Sequence, residues 1–238
     1  LAQRGSAKAM LPRTDASDPE VVFLNTAGGV TGGDRLDYAL SVGAGARATA
    51  MTQTAERAYR SGGEAAEMSV RLDVGAGGRL DWLPQETILF EGAHLVRRTE
   101  VDLARDATFL GVESVILGRA AHGETLRNAR LDDWRRVRRD GRLVHDERLS
   151  VTPGALADPA AFGPARAMAT LVYLDAGAED AVGPLRAALG SDGYASGWDG
   201  RVVARLVSPA GELLRRALIR AILCLRRDPM PRIWQSDE

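Results

Sequence analysis

Three segments of the chain share one pattern of alternating apolar and polar residues around a short turn. They are "YALSVGAGARATAMTQ" (38–53), "VRLDVGAGGRLDWLPQ" (70–85) and "EVDLARDATFLGVES" (100–114). Each alternates up to a turn of small or acidic residues and then alternates again. Because successive side chains of a strand point to opposite faces, this pattern predicts strands with one buried face.

The three segments can be aligned position by position. The equivalent apolar positions are Leu40, Leu72 and Val101, then Val42, Val74 and Leu103, and beyond the turn Ala48, Leu80 and Phe109. The offsets are 32 and 29 residues. A repeat near 30 residues in strand-rich sequence predicts stacked coils, in which each unit buries its apolar face on the next. A β-sandwich built from hairpins is the alternative.

Helical patterns come only in the last third of the chain. Further strands are predicted at 21–26, 107–117, 142–151, 167–175 and 201–208. Helices are predicted at 179–190 and 209–227. The second helix has an apolar stripe at three- and four-residue spacing, formed by Leu214, Ala217, Leu218, Ala221, Ile222 and Leu225, and Cys224 beside it is predicted to be a core residue. The sequence therefore predicts a mainly β, β-helical fold of stacked coils with two α-helices in the C-terminal third.

Charge and composition argue against several classes of protein. The net charge is −1, and the arginine-rich stretch "WRRVRRDGR" (134–142) lacks interleaved aromatic residues beyond Trp134. We interpret it as a solvated strand face or a protein-docking edge rather than a nucleic-acid site. A single cysteine excludes an internal disulfide, and no apolar run approaches the roughly 18 residues of a membrane span. These features predict a cytoplasmic protein without nucleic-acid or membrane partners.

The stretch "FLNTAGGVTGGDRL" (23–36) carries four glycines, Gly28, Gly29, Gly32 and Gly33, followed by Asp34. Their spacing does not match a dinucleotide fingerprint, and the Lys-Ser/Thr of a P-loop is missing. Glycine lets a chain cross close to another backbone or adopt positive φ. The stretch therefore predicts a bent strand connection, or a bend that exposes Asp34 to an internal cavity.

No residue pattern indicates an active site. The three histidines stand alone, and no nucleophile motif occurs. A carbohydrate-active β-solenoid could use Asp34 with Glu86 or Glu91, which would require two carboxylates about 5 to 10 Å apart in an open groove. The chain is poor in the aromatic residues such a groove needs, with four Trp, four Tyr and four Phe.

Several motifs together resemble the UreD (UreH) family of urease accessory proteins. They are "TAGGVTGGDRL", "MTQTAERAYRS", "LDWLPQETILFEGA", "LGRAAHGE" and "WRRVRRDGRLVHDERL". The resemblance runs from Val21 to the closing "PRIW" (231–234). It implies one UreD-like domain over residues 1–238 that lacks the first N-terminal strands of the family, and a β-helical fold with two helices.

The resemblance also implies a non-enzymatic role in urease maturation. Members of the family bind apo-urease and UreF, which recruits the GTPase UreG, and nickel reaches urease through an internal tunnel. Nickel is then in transit rather than a stably bound cofactor, and GTP is used by UreG and not by this chain. A pure assembly scaffold, without passage of the metal, is the main alternative.

The family motifs supply the candidate site residues. Asp34, Glu86 and Glu91 are candidates to line the nickel tunnel, and the four glycines are expected to shape a tight crossing between coils. The residues expected to line or brace the tunnel are Thr52, Gln53, Arg60 and Gln85. Trp234, beside the last helix, is a candidate anchor for UreF, although an amphipathic helix packed on its own core is the commoner case.

Overall fold

A computed structural model describes residues 1–14, 16–119 and 122–235. The strands are β1 (Ala7–Met10), β2 (Glu20–Asn25), β3 (Arg35–Val42), β4 (Arg47–Thr52), β5 (Glu56–Ala58), β6 (Ala66–Val74), β7 (Arg79–Trp82), β8 (Thr87–Leu89), β9 (His94–Leu103), β10 (Thr108–Leu117), β11 (Arg130–Arg139), β12 (Arg142–Val151), β13 (Ala167–Leu174), β14 (Gly193–Trp198) and β15 (Arg201–Ser208). The helices are α1 (Pro153–Ala157), α2 (Val182–Leu189) and α3 (Gly211–Leu223), with 3-10 helices at Ala178–Ala181 and Arg232–Trp234. The predicted mainly β fold is confirmed.

The three repeated segments form three stacked turns of a β-solenoid. Strand β3 pairs in parallel with β6, and β6 with β9, so that Leu40 lies beside Leu72 and Leu72 beside Val101. Strands β4, β7 and β10 pair in the same way, with Leu80 between Ala48 and Phe109. The predicted equivalences are therefore confirmed as pairing registers. Parallel pairing between turns also rules out hairpins for this part of the chain.

The strands form two sheets that enclose the main hydrophobic core. Sheet A has the order β1-β2-β4-β7-β10-β13-β15-β14, with β8 beside β10 and β5 beside β8. Sheet B has the order β12-β11-β9-β6-β3. The inward side chains of each turn stack on those of the next, as Val42, Val74 and Leu103 do. Beyond the third turn, β12, β13, β14 and β15 pair in antiparallel fashion and close the stack.

A second core lies where the helices pack on the other face of sheet A. The predicted stripe of α3 is buried there together with Leu185 and Leu189 of α2. The prediction for Cys224 is wrong, because this residue follows the last turn of α3 and its side chain is exposed. The five-residue helix α1 and strand β14 were not predicted. Helix α1 is too short to show a helical period, and the two glycines of β14 interrupt its apolar pattern.

None of the helices in the described parts of the chain is both long and apolar enough to span a bilayer.

Candidate functional site

A row of ion pairs crosses the space between sheets A and B, where most other side chains are apolar. Its members alternate in charge from the interior to the edge of the molecule. They are Glu113, Arg97, Asp133, Arg135, Glu147 and Arg205, named here the inter-sheet charge chain. Because an unpaired buried charge is costly, the alternation is what allows so many ionised groups in a protein interior.

The inner half of this chain is centred on Arg97 of β9. Its Nη1 lies 2.8 Å from Glu113 Oε2, and its Nε and Nη2 donate to the two oxygens of Asp133 at 2.9 and 2.7 Å. Glu113 Oε1 also accepts a hydrogen bond from Trp82 Nε1 at 3.0 Å. Since β9 belongs to sheet B and β10 to sheet A, Arg97 ties the two sheets together.

The outer half leads to the surface. Arg135 donates through Nη2 to Asp133 Oδ2 at 2.7 Å and through Nη1 to Glu147 Oε2 at 3.1 Å. Glu147 Oε1 in turn accepts from Arg205 Nη2 at 2.7 Å. The side chain of Arg205 is largely exposed, whereas those of Asp133 and Arg135 are buried. The charge chain thus connects the core with solvent at the edge formed by β12 and β15.

Strand β11 places two of these charges inside because of its phase. Its inward positions are Leu131, Asp133, Arg135 and Val137, and the residues between them lie on the outer face. The interpretation of 134–142 as a solvated strand face is therefore wrong for Arg135. It holds for Trp134 and Arg136, whose side chains stack on each other 3.8 Å apart, measured from Arg136 Cζ to the ring centroid.

Two carboxylates of the charge chain, those of Asp133 and Glu147, favour their charged form. Burial raises the pKa of Asp133, but the guanidinium groups of Arg97 and Arg135 outweigh it and hold the pKa below its usual range. Burial also acts to raise the pKa of Glu147, and the neighbouring His145, Arg135 and Arg205 together lower it to about 2. The two groups are therefore anionic at neutral pH.

Two neighbouring cavities follow the charge chain. The inner one, of about 30 Å³, reaches Trp82 and Thr99, and the outer one, of about 320 Å³, opens towards Arg205. Both are lined by Glu113 and Arg135. Glu113 supplies carboxylate oxygens to both cavities and Glu147 to the outer one, while apolar groups form most of the remaining lining.

The glycine stretch lies at a corner of the first turn, pressed against the second. A Cβ on Gly29 would stand 2.7 Å from the Arg57 carbonyl oxygen and would also collide with the Tyr59 ring, and one on Gly32 would stand 2.6 Å from the Glu64 carbonyl oxygen. Val30 holds the crossing, donating to the Arg57 carbonyl and accepting from the Tyr59 amide, both at 2.8 Å. The turns approach so closely here that only glycine fits.

Replacing Gly29 by alanine is expected to lower the free energy of unfolding by about 1 to 3 kcal/mol, the usual cost of overpacking. The colliding carbonyl belongs to a backbone that is bonded on both sides, so it cannot easily yield. Urea unfolding would measure the change. Gly43→Ala is the matched control, because its Cβ would meet no atom within 4 Å. Equal unfolding midpoints for the two variants would contradict the close crossing.

The three candidate carboxylates from the sequence are engaged with different groups, none of which belongs to the charge chain. Asp34 is exposed and accepts from the Thr31 amide at 2.8 Å, which closes its own turn. Glu91 accepts from the backbone of Arg127 at 2.7 Å and from the side chain of Asn128 at 2.9 Å. Glu86 lies 3.8 Å from Arg215 Nη1. No two of the three share a partner among the described contacts.

The remaining candidates brace the corners of the turns. Thr52 Oγ1 accepts a hydrogen bond from the backbone N–H of Gln85 at 2.9 Å, and the backbone N–H of Gln53 donates to the Phe23 carbonyl at 2.9 Å. Arg60 is exposed and forms a bridge with Ala93 of the following turn.

Comparison with known proteins assigns the chain to a family. The model of the UreD urease accessory protein matches residues 1–235. The chain belongs to the UreD family. It is 54% identical over 242 residues to the urease accessory protein UreD of Cereibacter sphaeroides, covering 99% of this chain and 88% of that protein. It is 53% identical over 241 residues to UreD of Paracoccus denitrificans, covering 99% of this chain and 86% of that protein. It is 46% identical over 239 residues to UreD of Rhizobium leguminosarum bv. viciae, covering 98% of this chain and 88% of that protein. The chain is thus a urease accessory protein.

Trp234, the candidate UreF anchor of this UreD-family chain, is packed inside it. Its side chain is 1% exposed, and its Nε1 donates to the Leu83 carbonyl at 2.9 Å. Arg215 lies over the indole ring at 4.7 Å and donates to Gln85 Oε1 at 2.6 Å. In this conformation the indole has no exposed face for a partner, and it holds the segment after α3 against the end of β7.

The sequence did not single out the charge chain, although one signal for it was present. In "RLDDWRRVRR", Asp133 and Arg135 share the phase of Leu131 and Val137. Charged residues in phase with a buried apolar face are expected to point inward. Among the described residues, no group of three or more His, Cys, Asp and Glu side chains is arranged to hold a metal ion.

Proposed function

We propose that this chain is a non-catalytic urease maturation factor that binds apo-urease and UreF, together with UreG, and helps deliver nickel to the urease active site. Membership of the UreD family supports the accessory role. The observation that carries the nickel part is the inter-sheet charge chain with its two cavities. GTP hydrolysis belongs in this proposal to UreG.

The chemistry of the charge chain suits a metal that passes rather than stays. Imidazole and thiolate ligands bind Ni²⁺ tightly, whereas sparse carboxylate oxygens and water hold it loosely. With an association rate constant of about 10⁶ M⁻¹s⁻¹, a Kd of about 1 μM corresponds to release at about 1 s⁻¹. Glu113 and Glu147 supply such oxygens beside the cavities, and the arginines limit the net negative charge that would retain the ion.

The path proposed for nickel therefore centres on Glu113 and Glu147. Asp34, Glu86 and Glu91 stay candidates for the two ends of the route, at the corners of the turns. A hydrolase built on these three carboxylates is less well supported, because each is engaged with different groups. The serious alternative is an assembly scaffold through which no metal passes.

Reconstitution would test the proposed function. Purified chain is mixed with apo-urease and UreF, with and without UreG, and the mixture is examined by size-exclusion chromatography. We expect a stable complex whose urease becomes active on addition of nickel, GTP and bicarbonate. A folded chain that forms no complex with either protein would contradict the proposal. Asp34→Ala and Glu86→Ala variants that assemble but fail to activate would support passage near the corners, whereas loss of activation only with loss of assembly would favour the scaffold.

A further inference from the structure

Sheet A extends one strand beyond sheet B at the edge where the charge chain reaches solvent. Strand β12, the last of sheet B, lies opposite β15, as the contact between Glu147 and Arg205 shows. Strand β14 follows β15 in sheet A, and within the described residues no strand of sheet B covers its inner face. Its other face packs on α2, where a Cβ on Gly197 would meet Val182.

Large apolar side chains are exposed along this edge, on β12, β14 and β15. Tyr194 of β14 is 83% exposed and Val207 of β15 is 64% exposed, and Trp198 and Leu143 are also exposed. Together with Arg201 they form what we call the open-edge surface. Strand β14, "GYASGW", contains no charged residue and no proline, although natural edge strands are usually protected by one or the other. An exposed apolar group of this kind marks an interaction site.

A pocket of about 290 Å³ lies at the Trp198 end of the open-edge surface, between β12 and the β14–β15 hairpin. Arg201 forms part of its wall, with Cζ 4.5 Å from the Trp198 ring centroid and Nη1 donating to the Val144 carbonyl. Its Nε is buried without a hydrogen-bond partner, as is Nε2 of the neighbouring His145. Among the described residues, no carboxylate lies within 4 Å of the Arg201 guanidinium. Asp146 also lines the pocket, but its carboxylate already accepts hydrogen bonds from two other side chains. An arginine in a pocket wall that has no carboxylate partner is suited to a carboxylate from outside.

We propose that the open-edge surface is the docking site for a partner protein that presents an Asp or Glu side chain between apolar side chains. The carboxylate enters the pocket beside Arg201, and the flanking apolar groups cover Tyr194, Trp198 and Val207. A free small acid would fill the pocket but leave Tyr194 and Val207 in water. This inference rests on the proposed function, since the partner is one of the proteins of urease maturation.

Charge argues against a second copy of this chain as the occupant. A twofold interface brings the same surface of each copy together. An interface whose axis passes through the pocket would bring the two copies of Arg201 together, and among the described residues no carboxylate lies within 4 Å of the Arg201 guanidinium to compensate. Like charges in such contact oppose association. An acidic and apolar surface on a different protein meets no such repulsion.

Binding of purified UreF and purified apo-urease, each measured alone by biolayer interferometry, would test the inference. Tyr194→Ser is the first variant, because a side chain this exposed contributes little to the fold. Arg201→Lys is the second, since it keeps the positive charge but removes the guanidinium fork. We expect each to raise the Kd for one of the two proteins by about tenfold or more, as is usual for interface hot spots. Leu213→Ser, a similarly exposed apolar residue on α3, is the control that leaves both Kd values unchanged.

Three results would overturn the inference. If the wild-type chain binds UreF or apo-urease and both variants bind with wild-type Kd values, the open-edge surface is not the docking site, and the proposed function stands. If Tyr194→Ser changes only self-association, measured by sedimentation, the surface joins two copies of this chain. A wild-type chain that binds neither protein would overturn the proposed function and this inference with it.

Discussion

Replacement of Asp133 by asparagine is expected to lower the free energy of unfolding by about 3 to 5 kcal/mol, the range measured when one partner of a buried ion pair is removed. Asp133 is fully buried and accepts hydrogen bonds from both Arg97 and Arg135. Asparagine has nearly the same shape but leaves two buried guanidinium groups without this counter-charge. Urea unfolding at pH 7, monitored by tryptophan fluorescence, would measure the loss.

Asp132 provides the matched control, because it is the adjacent residue of the same strand. Its carboxylate lies on the outer face and pairs with the exposed Arg148 at 2.6 Å. Exposed ion pairs contribute about 0 to 1 kcal/mol, so Asp132→Asn is expected to change stability little. A similar loss for both variants would mean that burial of the charge chain is not what makes Asp133 important.

The same pair of variants has a predictable dependence on pH. Since the folded-state pKa values of Asp133 and Glu147 are lowered, their contribution to stability is complete above the ordinary carboxyl pKa of about 4 and is lost as pH falls below it. Wild-type stability is therefore expected to fall between about pH 5 and pH 2. The fall should be shallower in Asp133→Asn, which has one such carboxylate fewer, and unchanged in Asp132→Asn.

Replacement of Glu147 by glutamine is expected to reduce nickel-dependent activation of urease by about tenfold or more while the chain still assembles with its partners. Glu147 supplies a carboxylate where the outer cavity meets the sheet edge, and glutamine retains its size without its charge. A neutral amide attracts and binds a divalent cation far less well than a carboxylate. The measurement is urease activity after reconstitution with limiting nickel, alongside chromatography of the complex.

Glu100→Gln is the control for this experiment, because Glu100 is a half-exposed glutamate on the outer face of sheet B. Normal activation by both assembled variants would favour the scaffold without passage of metal. Loss of activation only where assembly also fails would lead to the same conclusion. Reduced activation by an intact complex of Glu147→Gln alone would support the proposed path.

The stacking of the turns could be predicted from sequence because the contacts recur. Leu40, Leu72 and Val101 lie beside their equivalents in the neighbouring turns, so the offsets of 32 and 29 residues fix the registers. The alternation of apolar residues predicted the strands of the turns, and the three- and four-residue spacing predicted α3. Helix α2 was indicated instead by the acidic residues at its start and by Gly190 at its end. Strand β14 was not predicted, because its two glycines leave too few apolar side chains to form a recognisable alternation.

The functional residues were harder to predict, for two physical reasons. Charged residues are usually exposed, so Arg97 and Asp133 gave no sign of burial except their phase along the strand. The corners of the turns have no period, and their partners come from distant parts of the chain. Gln85 is bound by Arg215, 130 residues away, and no local pattern predicts such a contact.

The segment after α3 determines when this protein can complete its folding during synthesis. The strands of the solenoid turns pair with strands that are near in sequence, so the turns can stack one after another as they leave the ribosome. However, the Leu83 carbonyl accepts its hydrogen bond from the indole of Trp234, 151 residues later in the chain, and Arg79 donates to the carbonyl of Leu225. Until residues 225–234 have been made, the helix-covered face of sheet A cannot be sealed. A nascent chain therefore carries an unfinished apolar surface for most of its synthesis, and this is the stage at which it most needs protection from aggregation.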